Sequence, residues 1–256
     1  MAVSWMKQGA ASADLAKQEE AAQELRKSQQ GKLYRWFLKD KEDAALTFVD
    51  GDLSPEGFLL PPRFYEHMVK VAGQWQTHVC PEQTNPGSGQ KCPICEQGEK
   101  ASLVAVLTVI DHRSFKGKDD KVYANQRRLF VCKGQTFELL NKLAIKRGGL
   151  AGCRFDVSRN GDKAPAVGNL FDFTDKQDIE LLKAKYTRTY EDKDGNKHTV
   201  CDFEPANYEE EIIFRDEMEL RKMGFGKGNA TGGMSGFSGS APGGNAGSKV
   251  DYSDQL

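Results

Sequence analysis

Residues 103–110 read LVAVLTVI, the longest apolar run in a chain of 256 residues. Eight residues fall far short of the roughly 20 that span a membrane as a helix, and the N-terminus has no apolar signal region. The run reads as a strand, and it has company. LYRWFLK (33–39), ALTFVDG (45–51), GFLLPPRFY (57–65), RLFVCK (128–133), CRFDVSR (153–159) and NLFDFT (169–174) are also short and β-like, divided by DG, KGKDDK and NGDK turns. One clear helix interrupts them, TFELLNKLAIKRG (136–148). Phe137, Leu140, Leu143 and Ala144 share a face there, and Gly148-Gly149 closes it. The pattern predicts an α+β chain that is mainly β. A five-stranded Greek-key barrel of the OB-fold type fits it, although a β-sandwich would give a similar string.

Working outward, residues 12–28 (SADLAKQEEAAQELRKS) form an amphipathic helix with a thin apolar stripe, so 1–31 is expected to be an N-terminal helical arm. The core is expected over 32–222, with an inserted metal loop at about 61–100. A possible hairpin, YTRTYEDKDGNKHTVCDF, follows Lys185. From 223 to 256 the chain turns to Gly, Ser, Asn and Ala and ends KVDYSDQL, the composition of a disordered tether with a weakly acidic tip.

Three of the six cysteines sit in one stretch, HVCPEQTNPGSGQKCPIC (78–95), around a loop too polar to make a core. A cytosolic place is expected for the chain, stable disulfides are disfavoured there, and Cys132, Cys153 and Cys201 show no pairing pattern. Cys92-x2-Cys95 has the spacing of a zinc knuckle, and Cys80 supplies a third thiolate. Two histidines are near enough to be the fourth ligand. His78 is two residues before Cys80 and would share its face on an extended strand, which favours it. His67 would need the turn at Ala72-Gly73 to fold it back. Three Cys and one His, with no open position, make one structural Zn²⁺.

The net charge of -1 hides an asymmetry: residues 101–154 hold eleven Lys or Arg against four Asp or Glu, and 175–221 hold eight against fourteen. A polyanion is expected to meet the first segment. Within it, Arg113, Lys116, Lys118, Arg127, Arg128 and Lys133 interleave with Phe115 and Tyr123, as a surface needs if cations track phosphates and rings stack on bases. Tyr34, Trp36 and Lys39 form a second such patch, and Arg159 and Lys163 a third. No Gly-rich phosphate loop, HExxH, GxSxG or carboxylate cluster is present, so a binding protein is expected rather than an enzyme.

The order HMVKVAGQWQTHVC, CPIC, apolar strand, basic hairpin, helix and RFDVSRNGDK resembles the bacteriophage single-stranded-DNA-binding, helix-destabilising proteins over roughly 33–175. The resemblance implies an OB-fold with an inserted zinc subdomain, cooperative binding of single-stranded DNA in replication, recombination or repair, and a place in the cytoplasm of an infected bacterium. It also implies that the histidine ligand lies well before the first cysteine and ahead of a Gly-x-Trp. That is His67, ahead of Gly73 and Trp75. It implies self-association through the N-terminal arm, matched in part by Arg26-Lys27-Ser28, and recruitment of replication or recombination proteins through the tail. The aromatic cluster that such proteins carry after the CPxC is replaced here by Leu103 to Ile110. A zinc-ribbon adaptor that binds protein or duplex DNA is the alternative.

Overall fold

In the computed structural model the described residues are 33–226, apart from 72, 117–119, 121 and 192–194, together with Ala13 and Lys17 in the arm. Lys118, the rest of the arm and the tail from 227 lie outside them. The run that opens the sequence is part of β4 (Ser102–Asp111), and it is apolar without alternation because both of its faces and both of its edges are covered. On one edge it pairs along Val104 to Asp111 with β7 (Gln126–Lys133). The other edge is shared: Ser102 to Ala105 pairs with β2 (Arg63–Val71), and Val109 to Asp111 with β1 (Asp43–Phe48).

The sheet continues from β2 to β3 (Gln74–Val79), and from β1 through β8 (Cys153–Ser158) to β9 (Leu170–Lys176). All its pairings are antiparallel. The path is therefore β3-β2-β4-β1-β8-β9, with β7 branching from β4. The hairpins β5 (Phe115–Lys116) with β6 (Val122–Tyr123), and β10 (Thr187–Glu191) with β11 (Lys197–Cys201), are separate two-stranded sheets.

This topology overturns the barrel. Among the described residues β9 pairs only with β8, and the outer edge of β7 is taken by the segment at Tyr34 to Trp36 through Trp36 N–H to Leu129 O (2.8 Å) and Leu129 N–H to Tyr34 O (3.0 Å). With nothing to join the last strand back to the first, the sheet stays open, so the OB-fold and the phage family that implied it are set aside. The α+β class stands. Nor is the metal loop an insertion beside a barrel, since its hairpin β2–β3 belongs to the main sheet. The expected hairpin after Lys185 is present as β10 and β11.

Helical pieces pack around the sheet. α1 (Pro81–Thr84) and α2 (Pro93–Glu96) are single turns in the metal loop, each opened by a cysteine at its N-cap and a proline that needs no N–H. The expected long helix is α3 (Gly134–Arg147). Gly148 ends it in the left-handed conformation (φ 64°), and Lys176 Nζ donates to its last free carbonyls at Arg147 and Gly148 (2.9 and 3.0 Å). α3 covers one face of the sheet over a core that includes Leu46, Phe48, Leu107, Phe130, Leu140 and Phe155. Three shorter helices follow: α4 (Ile179–Tyr186), α5 (Tyr208–Glu211) and α6 (Glu217–Lys222).

The chain does not turn into a tether at 223. Phe225 is buried with Leu220 against Cys80, Cys92 and Ile94, so folded chain extends past the expected boundary.

Candidate functional site

β2 has two buried faces, which is why its apolar pattern is irregular. Phe64 joins one apolar cluster, whereas Tyr65, Val69 and Val71 line another with Cys80, Cys92 and Ile94. His67 lies on that second face. Its Nε2 stands 3.3 Å from Cys92 Sγ and 3.5 Å from Cys95 Sγ, and Cys80 Sγ lies 3.7 Å from Cys95 Sγ. All four ligand atoms fall within 4.8 Å of one another, and His67, Cys80 and Cys92 are buried. Donors tetrahedrally placed about 2.0–2.3 Å from one ion would be separated by roughly 3.5–3.8 Å. The four side chains can therefore hold a metal ion.

Gln83 donates its backbone N–H to Cys80 Sγ (3.5 Å) and its side-chain amide to Cys95 Sγ (3.9 Å). Burial, followed by the neighbouring Cys92 and Cys80 thiols, pushes Cys95 up to about 12. His67 Nδ1 has no hydrogen-bond partner among the described residues.

His78 is directly opposite His67 across the β2–β3 pair, so it does share the face, as its position before Cys80 suggested. It is nevertheless outside the cluster. Cys80 leaves the strand to cap α1, and Phe225 packs edge-on against the His78 ring at 5.1 Å between centroids. Burial, then the charges of Arg215 and His67, lowers its pKa to about 4.

Sequence reasoning missed what closes this site. Arg221 on α6 donates to both oxygens of Glu96 (2.7 and 3.1 Å) and to Glu217 (2.8 and 3.0 Å), while Glu217 accepts the Lys91 N–H (3.0 Å). A C-terminal helix is thereby fastened onto the cysteine loop. The signal was local: Asp216 and Glu219 form a capping box ahead of Leu220.

The second group of residues is at the far end of β7. Arg128 places its guanidinium 5.2 Å from the Tyr34 ring and 5.2 Å from the Phe115 ring, and Arg113 is 5.3 Å from Phe115. Tyr123 faces Phe115 across the β5–β6 hairpin. Tyr34 is 46% exposed and Tyr123 is 42% exposed, so the group forms an outward surface of rings and cations. Asp111 and Glu42 fix Arg113 through bonds of 2.8–3.2 Å, whereas Arg128 makes no ion pair with a described residue.

Other expected contact residues are elsewhere. Trp36 is 1% exposed and stacks on Phe130 in the core. Arg127 points from the opposite face of β7 and donates to Glu204 O (3.2 Å). Lys133 is about 17 Å along the strand from Arg128, bonded to Ser102 (3.3 Å). Arg159 braces the backbone at Leu38 O (2.9 Å) and Asp162 O (3.3 Å). Lys39 and Lys163 are exposed, and Lys116 pairs with Asp120 (2.7 Å).

Comparison with protein-family models, with characterised proteins and with solved structures finds no match for this chain. No helix among the described residues is long and apolar enough to cross a membrane.

Proposed function

We propose that this protein binds single-stranded DNA without sequence preference, on a scaffold cross-linked by one structural zinc. The observation that carries the reading is Arg128, half-buried between two rings and making no ion pair with a described residue, since the nearby Asp111 carboxylate is bonded to Arg113. A paired guanidinium has little left for a ligand, but this one keeps its donors for a phosphate, and Tyr34 and Tyr123 offer flat faces to unpaired bases. Each stacked base contributes about 1–3 kcal/mol, and any base will stack. Arg113, held by Asp111 and Glu42, serves to support Phe115 from below.

Three thiolates and an imidazole in tetrahedral reach suit zinc among the biological metals, and a closed set of four protein ligands makes the ion a structural one. Its part is to tie β2, the cysteine loop and the face that receives α6 into one unit.

Fluorescence titration with oligo(dT) and with duplex DNA across a salt series tests the reading. Oligo(dT) should bind far more tightly, with log affinity falling linearly in log salt. Equal or stronger binding of duplex, or no binding of either, would favour the adaptor and reject the single-strand surface.

A further inference from the structure

Apart from both sites, a cavity of about 130 Å³ opens between the β2–β3 hairpin, the segment before Trp36 and the stretch joining α5 to α6. It is smaller than the roughly 300 Å³ at which sites for larger organic ligands begin. Arg35, Glu66, Thr77, Glu211 and Arg215 supply its polar lining.

Most of these groups are already engaged. Arg35 gives both terminal nitrogens to Glu66 (2.8 and 3.2 Å), which neutralises the pair, and Glu211 Oε2 accepts the Leu33 N–H (2.8 Å). Arg215 is the exception. It is 8% exposed, yet it makes no hydrogen bond or ion pair with any described residue. Glu219, the acid whose charge it senses, is occupied by the capping box of α6. Thr77, exposed at the mouth of the cavity, has a hydroxyl with no partner among the described residues. The Arg215 nitrogens open onto the cavity while the rest of the side chain is buried, and that partial desolvation lowers its pKa, so an anion placed in the cavity would be favourable. The space beside the guanidinium is of the size of one small group.

We infer that this cavity is a binding site for a single small oxyanion, a phosphate or carboxylate group, held by the Arg215 guanidinium with Thr77 as a second donor. The arginine fork can meet two oxygens of either group in parallel bonds. The site does not depend on the single-strand reading. Leu33 and Arg35 line the cavity, whereas Tyr34, between them on an extended segment, points its ring to Arg128 on the other side.

The full-length, metal-loaded protein should be titrated separately with sodium phosphate and sodium acetate at ionic strength fixed by sodium chloride. The readouts are the NMR resonance of the Arg215 Nε–H and the thermal midpoint. A saturable shift with phosphate alone identifies a phosphoryl group as the ligand. A shift with acetate alone identifies a carboxylate, and a shift with both shows that the shared charge suffices. Arg215→Gln should abolish the rise in midpoint, Thr77→Val should weaken binding by about threefold to tenfold, and Glu211→Gln should strengthen it by removing a nearby negative charge. The inference fails if neither salt differs from chloride, or if Arg215→Gln responds like the parent. Should Arg215→Gln not fold, unchanged affinities in both Thr77→Val and Glu211→Gln would overturn it.

Discussion

Tyr34 and Trp36 stand two residues apart on one extended segment, and their side chains share a face, yet one is at the rim of the sheet and the other in the core. Tyr34→Ala should therefore lower affinity for oligo(dT) by about 1–3 kcal/mol and leave the thermal midpoint nearly unchanged. Trp36→Ala should cost about 3–5 kcal/mol of stability, and the fraction still folded should bind normally. Binding titrations beside denaturant curves separate the two, and a Tyr34→Ala protein that binds like the parent removes the ring from the surface.

Asp50 carries a different kind of information. It accepts the Thr108 N–H (3.0 Å) and a short hydrogen bond from the Tyr208 hydroxyl, which also meets Thr108 Oγ1 (2.7 Å), so the network fastens α5 to β4. Burial raises its pKa from 3.8 to about 6, against the lowering effect of those hydrogen bonds. The folded chain thus holds this proton more tightly than the unfolded chain does. The stabilisation it gives is full below about pH 4 and is lost as pH rises through about 6, a difference of roughly 3 kcal/mol at most. Denaturant midpoints at pH 5 and pH 7.5 should show Asp50→Asn flattening that slope. An identical slope in parent and variant would mean that Asp50 does not titrate in this range.

At the scale of elements, the antiparallel pair β2–β3 brings two histidines to one face, and α6 decides between them. Phe225, just beyond that helix, packs on the His78 ring, leaving His67 with the thiols. His67→Ala should lose the metal under mild chelation, while His78→Ala should keep it and lose only packing. Elemental analysis after dialysis against a chelator reads the difference, and the reverse order would transfer the ligand role to His78. Cys92→Ser should lose the metal as well, and with it the stability of a loop whose own apolar content is small.

At the scale of the molecule, folded chain continues through Phe225, past the boundary that composition places at 223. A truncation after Gly226 should keep metal content and thermal midpoint. One after Met223 should lower the midpoint, because it removes Phe225 from the cluster of Cys80, Cys92, Ile94 and Leu220, at a cost of about 3 kcal/mol. Thermal unfolding of the two chains checks this, and equal midpoints would show that Phe225 contributes nothing to the site.

The sequence by itself determined what depends on near neighbours. Strand runs, the long helix with its Gly148 stop, the β10–β11 hairpin and the Cys92-x2-Cys95 chelate all rest on residues a few positions apart, whose periods and turn chemistry are local. It also singled out Arg128, Phe115, Tyr34 and Tyr123, because cations interleaved with rings stay visible in one dimension. Only the tertiary structure decided whether the sheet closes, since the same alternation serves an open sheet and a barrel, and closure depends on which strand reaches the edge of β7. It alone separated Tyr34 from Trp36, and it supplied the physical reason for His67 over His78, a choice that spacing orders the other way and only the resemblance implies, because membership of a face is written in the sequence but position along that face, rim or centre, is fixed by what packs on top. For the histidines the covering group is Phe225, which lies 147 residues beyond His78 and carries no local mark of what it covers.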